Sequence, residues 1–301
     1  MINFMELKSN DYAQGVILVF FAGVLWSTVG LGIRLIENAG VWQILFYRSI
    51  SLALLLYLVI RLRGKSKRLL SKKLLNKPNI IGGLSLVAAY AGGIFAIQTT
   101  SVANAMLLFA TAPFIAAVLG YLILGEQVRT TTWYAIIVSM GGIAYMFADQ
   151  STHFSLTGSF AALGSAIGFA IFSVALRWGK NDEMLSSVFL SGCFAIIITF
   201  FICLFLKQSL LLSSQDIGIS FSMGIFQVGG GLVLYTVGSK TLSAADLTLL
   251  SLAEVVLGPV WVWFFLEEVT SKNTLLGGSI LLLAIAANAL SGKRWKPPPI
   301  M

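Results

Sequence analysis

"SVANAMLLFATAPFIAAVLGYLILGEQV" (residues 101–128) returns in altered form as "LSAADLTLLSLAEVVLGPVWVWFFLEEV" (residues 242–269). Each copy opens on small residues, runs through an apolar stretch and ends on an acid: Glu126 in the first, Glu267 or Glu268 in the second. The offset is about 141 residues, close to half of the 301-residue chain, and self-similarity at a fixed offset marks a duplicated unit. Inside the second copy lies "LSLAEVVLGPVWVWFF" (250–265), almost wholly apolar, with one carboxylate, Glu254, near its centre.

Composition says what such runs are. The chain is 57% hydrophobic and 11% charged, with a mean hydropathy of +0.90, whereas soluble domains carry about 25% charged residues. That much apolar surface cannot be hidden inside a water-soluble globule of this size, so the chain is a polytopic membrane protein. A window of roughly 20 apolar residues yields ten spans, numbered 1 to 10 in order: 15–33, 42–61, 78–98, 102–124, 130–148, 156–177, 184–206, 216–238, 243–266 and 273–291. The N-terminus, "MINFMELKSNDYAQG", lacks the basic start and small-residue cleavage site of a signal peptide, so the first run is expected to be retained as a span.

Ten spans divided at the repeat leave five in each half. Five is odd, so the second half lies inverted relative to the first, and inverted repeats are a hallmark of secondary transporters. The expected fold is all-α integral membrane: ten transmembrane helices as two inverted five-helix repeats. The halves are residues 1–148, with a basic cytoplasmic loop at 61–77, and 149–301, with a short cytoplasmic tail. With the N-terminus inside, sixteen Lys and Arg fall on the inner side and three on the outer, leaving Arg48 within span 2. The positive-inside rule then puts both termini in the cytoplasm. The net charge of +8 comes mostly from that loop and the tail, so it reports topology rather than nucleic-acid binding.

Several chemistries have no residues to carry them. There is no GxxxxGK[ST] motif for an ATP-driven motor, and no Ser-His-Asp set, paired acids or metal-ligand cluster at catalytic spacing. An enzyme, a metal and a cofactor are therefore not expected. A channel is a competitor, though no ring of charges or filter-like loop stands out. Cys193 and Cys203 fall about 15 Å apart on one helix, too far to bridge, and are expected to be packing residues.

Ionisable groups at membrane depth are rare and expensive, so each is a functional candidate. Glu254 sits about eleven residues, or about 16 Å of helix, from the nearer end of span 9. Its short side chain cannot snorkel that far, and low dielectric favours its uncharged form. It is a candidate for proton coupling, for binding a substrate ammonium, or for a structural hydrogen bond to a neighbouring helix. Arg48 lies about 9 Å deep in span 2. It could snorkel to the interface, tie helix carbonyls together, or offer a guanidinium fork to a substrate carboxylate. Trp26, Tyr90, Phe169 and Gln227 fall near mid-span and are candidate cavity residues, packing being the alternative for the aromatics. Gln98, Asn104 and Asp246 lie nearer span ends and are weaker candidates. Glu126, Glu267 and Glu268 occupy span ends, where hydration is expected. "GSAIG" (164–168) and "GGG" (229–231) offer small faces for helix contact. His153 is expected in a solvated outer loop, and Trp295 and Lys296 as an interfacial anchor.

These stretches resemble the EamA branch of the drug/metabolite transporter superfamily over nearly the whole chain. The likeness rests on "GVLWSTVG" (23–30), "FYRS" (46–49), "APF" (112–114) to "LGE" (124–126), and "LAEVVLGP" (252–259) to "LEE" (266–268). The family often has Glu-Pro where this chain has Glu254 and Val255, with Pro259 four residues later. The resemblance implies a ten-helix, two-repeat carrier with both termini inside, often an exporter of amino acids or other small metabolites.

The function expected is a secondary transporter moving a small metabolite, an amino acid or related zwitterion, across the bacterial inner membrane by alternating access, in the direction of export. A channel-like facilitator or an uptake carrier for another small organic solute is the alternative. Its partners are the solute, the lipid bilayer and, through Glu254, a proton; no nucleic acid is expected, and both a monomer and a homodimer stay open.

Overall fold

Within a bilayer no water satisfies backbone polar groups, so a spanning segment must pair them internally. The apolar runs accordingly form helices in the computed structural model, which describes residues 2–62, 72–99, 105, 108–146, 155–179, 185–266 and 272–292. Five described helical stretches are long and apolar enough to cross a membrane: Val41–Leu62, Lys77–Ala96, Leu156–Trp178, Leu185–Phe205 and Ser214–Gly238. Thr130–Met146 and Lys272–Gly292 supply spans 5 and 10. The expectations for Asn104, His153, Glu267, Glu268, Trp295 and Lys296 lie outside the described residues, as do most of the basic loop and the side chain of Gln98.

Three predicted spans are not continuous helices. Span 1 is Ile2–Trp26 followed by Val29–Arg34. Ser27 and Thr28 at the interruption turn their hydroxyls back onto the carbonyls of Val24 and Leu25 at 2.6 and 2.7 Å, a local bond that competes with the helix ladder. Span 9 is Ala244–Ser251 followed by Ala253–Leu266. At its break the amides of Leu252 and Val255 reach three residues back, to Leu249 and Leu252. Span 4 turns at Thr111, whose hydroxyl and amide both bond the Leu108 carbonyl, before the helix Ala112–Leu124. Thr111 and Leu252 are separated by the 141-residue offset of the repeat, so spans 4 and 9 break at matched positions. Span 8 carries a different irregularity, a π-helical stretch at Met223–Gly230.

The packing follows the inverted duplication. Span 3 packs along span 6, and the counterpart pair, spans 8 and 1, packs in the same way. Spans 2 and 7, 4 and 9, and 5 and 10 pair with each other, as two units related by a pseudo-twofold axis in the membrane plane must. The expected small faces are sites of close helix approach. A Cβ on Gly168 would lie 2.7 Å from the Ser85 carbonyl, and nearby Ser165 donates to the Ala89 carbonyl at 2.6 Å. On span 8, a Cβ on Gly231 would run into the indole of Trp26 at Nε1. Phe205, Leu204, Phe264 and Phe265 face outward, as expected of a surface wetted by lipid. Cys203 is buried, Cys193 is half-buried and both are free thiols.

Candidate functional site

A cavity of about 180 Å³ lies among spans 1, 2, 3, 4, 6, 8 and 9, and all six predicted site residues line it: Trp26, Arg48, Tyr90, Phe169, Gln227 and Glu254. They come from both halves of the chain, so the site exists only when the repeats close on each other.

The broken helices set its polar chemistry. Glu254 stands in the first turn of the half-helix Ala253–Leu266, where the helix dipole favours negative charge. The break thus supplies what a continuous span would not: a partial positive charge beside the acid at membrane depth. The Glu254 carboxyl has no hydrogen-bond or ion-pair partner among the described residues. Trp26 ends the first segment of span 1, and its carbonyl accepts from Gln227 Nε2 at 3.2 Å. Gln227 Oε1 is buried without a hydrogen-bond partner, as is the Tyr90 hydroxyl. Trp261 Nε1 donates to Ser27 Oγ at 2.7 Å, tying the far half of span 9 to the interruption in span 1.

Arg48 neither snorkels nor ties carbonyls of the described residues together. It is only 4% exposed, its guanidinium carbon lies 4.7 Å from the Tyr90 ring centre, and its buried Nη2 has no hydrogen-bond partner. An unsatisfied charged donor in an apolar surround is costly, so an acceptor entering the cavity would meet a strong, ready-made partner. Acid and base face one space without pairing with each other.

Aromatic rings form part of the apolar wall and the layer behind it. Trp26 meets Phe169 edge-on at 5.7 Å between centroids and Tyr235 at 5.2 Å, and Tyr235 stacks on Phe172. Sequence reasoning missed Tyr235, which packs behind the lining, fully buried, and shares a 2.8 Å hydrogen bond with Ser173. Its signal was its place eight residues after Gln227, on the same helical face. Phe109, Ser165 and Ser251 line the cavity itself and had no sequence signal beyond being small or apolar.

Two span-end acids are corrected. Glu126 is not hydrated: it is buried against Arg177, whose Nε donates to Oε1 at 2.7 Å. Asp246 lies away from the cavity, buried and paired with Arg129 at 2.9 Å and with Asn288 Nδ2 at 2.7 Å. Both were placed at span ends correctly, but their partners lie far off in the chain. Among the described residues no group of His, Cys, Asp and Glu is placed to hold a metal ion.

The model of the EamA-like transporter family matches residues 13–148 and 156–290, once in each half. The pseudopaline exporter CntI of Pseudomonas aeruginosa (strain UCBPP-PA14) is 25% identical over 284 residues, covering 91% of this chain and 95% of that protein. YwfM of Bacillus subtilis (strain 168), an uncharacterized transporter, is 25% identical over 67% of this chain and 69% of its own. A solved crystal structure superposes with a TM-score of 0.80 at 17% identity, covering 93% of this chain and 98% of the other, a likeness of fold.

Proposed function

The chain belongs to the EamA-like transporter family, and from that premise we propose that it is a secondary transporter of a small zwitterionic metabolite, an amino acid or close relative, working by alternating access. One observation carries the substrate class: a carboxylate, Glu254, and a guanidinium, Arg48, face the same small cavity with no ion-pair partner among the described residues. A solute bearing an ammonium and a carboxylate complements both. Trp26 and Phe169 would enclose its side chain. Size limits the choice, since an apolar cavity of about 150 Å³ in another protein admits a benzene ring. About 180 Å³ here suits a branched or single-ring side chain.

Export is the proposed direction, with a full-length relative that is an exporter of pseudopaline in support. The charge distribution supports an inner-membrane protein with both termini in the cytoplasm and the halves 1–148 and 149–301 as its two repeats. Glu254 is the proposed proton site. Each chain supplies a whole cavity, so one copy is the transporting unit in a monomer or a homodimer.

The test begins with a panel of metabolites screened for thermal stabilisation of the purified protein, since a ligand bound only by the folded state raises the melting point by mass action. Hits are then assayed for saturable counterflow in proteoliposomes. Zwitterionic amino acids are expected to stabilise and to exchange. A hit panel confined to solutes lacking a carboxylate would overturn the substrate class, and flux without counterflow would favour the channel alternative.

A further inference from the structure

We propose that the buried ion pairs Glu126–Arg177 and Arg129–Asp246 form a latch that seals the cavity from the end of the bundle bearing the termini, and that both must part for solute to pass that way. This rests on the alternating-access reading above, in which that end faces the cytoplasm.

Each pair joins one half of the chain to the other. Glu126 follows span 4, and Arg177 closes span 6. Arg177 Nε and Nη2 both donate to Glu126 Oε1, while Nη1 donates to the carbonyls of Ser239 and Lys240 at 3.3 and 3.5 Å. The other carboxylate oxygen accepts the Ala244 amide at 3.3 Å. One pair therefore draws together the ends of spans 4, 6 and 8 and the start of span 9. Arg129 opens span 5. It binds Asp246 on span 9, and Asn288 and Ser291 at the end of span 10. Thr132 donates to Asn288 Oδ1 at 3.0 Å.

Between latch and cavity the packing is closed. Phe172, Tyr235 and Thr248 are each fully buried. Ser173 and Arg177 lie one turn apart on span 6, and Tyr235 and Ser239 one turn apart on span 8. The Tyr235–Ser173 hydrogen bond thus lies in the packing beneath the cavity, one helical turn from the Arg177 contacts.

Ion pairs suit a seal that must open. Against apolar packing a buried pair adds little net stability, yet it is bistable. In the dry closed end each charge needs its partner, and in a water-filled vestibule hydration replaces that partner. Water entering from the terminal end lowers the cost of separation as separation proceeds, which apolar packing could not do.

The test follows a cysteine at Thr248, one turn from Ala244, in the full-length chain with Cys193→Ala and Cys203→Ala. A membrane-impermeant maleimide is applied to inside-out vesicles. Thr248→Cys is expected to label slowly with the latch intact and roughly tenfold faster in Glu126→Gln/Arg177→Met, as a shifted population predicts. The charge exchange Glu126→Arg/Arg177→Glu keeps the ion pair but sets a carboxylate against the Ser239 and Lys240 carbonyls, so it is expected to restore slow labelling in part. Equal rates in all three overturn the latch. If the neutralised pair does not reach the membrane, Arg129→Gln/Asp246→Asn is read instead, with the same expected result and the same refutation. Labelling that accelerates from the opposite face supports the latch and refutes the cytoplasmic placement, so the two failures are distinguishable without knowing the solute.

Discussion

The Arg48 guanidinium carbon lies 4.7 Å from the centre of the Tyr90 ring, and Nη2 beside it is buried with no acceptor. The ring holds the cation in place through its face and leaves the in-plane donors available to the cavity. In the proposed carrier Tyr90 would position Arg48, the group that would meet an anion.

Replacing Arg48 with Gln is expected to weaken binding of a carboxylate-bearing solute roughly 10- to 100-fold, since a hydrogen bond to a charged group is worth about 1.5–3 kcal/mol. Lys is expected not to restore it, because an ammonium lacks the planar fork. Ligand-induced thermal stabilisation reads both variants; shifts matching the parent protein would exclude Arg48 from the site.

Glu254→Gln is expected to abolish gradient-driven transport while expression and melting temperature stay near those of the parent. Counterflow then separates two roles for the acid. If Glu254 carries only a proton, exchange persists without net transport. If it grips a substrate ammonium, exchange is lost as well. Normal net uptake and efflux would remove the acid from the mechanism.

At Gly231 the constraint is steric. Overlap of an added Cβ with Trp26 Nε1 predicts that Gly231→Ala lowers stability by about 1–3 kcal/mol, the cost of overpacking a filled core. Trp26→Leu in the same chain is expected to recover part of that loss, giving a coupling energy in a double-mutant cycle. Additive effects on melting temperature would mean the two do not touch.

Asp216 is fully buried at the end opposite the latch and accepts the backbone amides of Glu37 and Asn38 at 3.1 and 3.2 Å. Asp216→Ala strands both amides and is expected to destabilise by about 2–4 kcal/mol, while Asn, which keeps one acceptor, costs less. Thermal unfolding of the two variants compares them; equal losses would point to the charge rather than the amide contacts.

Much of the fold can be read along the chain. Ten apolar runs, an odd number in each half and an asymmetric distribution of bases specify the helices and their inversion. Among the six site residues, Arg48, Tyr90, Gln227 and Glu254 were legible for a related reason: a polar group at mid-span is costly against lipid, so it turns toward a cavity or a neighbouring helix. The helix breaks were not legible. Ser27, Thr28, Thr111 and Ser251 are residue types that also occur in unbroken helices, and their hydroxyl bonds to carbonyls three residues back recur at Ser51, Ser85 and Ser191 within continuous helices. Glu254 consequently stands in the first turn of a half-helix rather than mid-helix.

The latch was still less legible. Glu126 and Arg177 are 51 residues apart, and Arg129 and Asp246 are 117. Taken singly, each is a charge at a span end, where water is the expected neighbour. Which segments enter the bilayer follows from the order of residues alone, because transfer of a side chain into hydrocarbon is a local quantity that sums along a run. Which charges are partnered emerges only once the helices are packed, because pairing depends on separation in space. By that criterion Glu126, Arg177, Arg129 and Asp246 hold the halves together, and Arg48 and Glu254 are left facing the cavity.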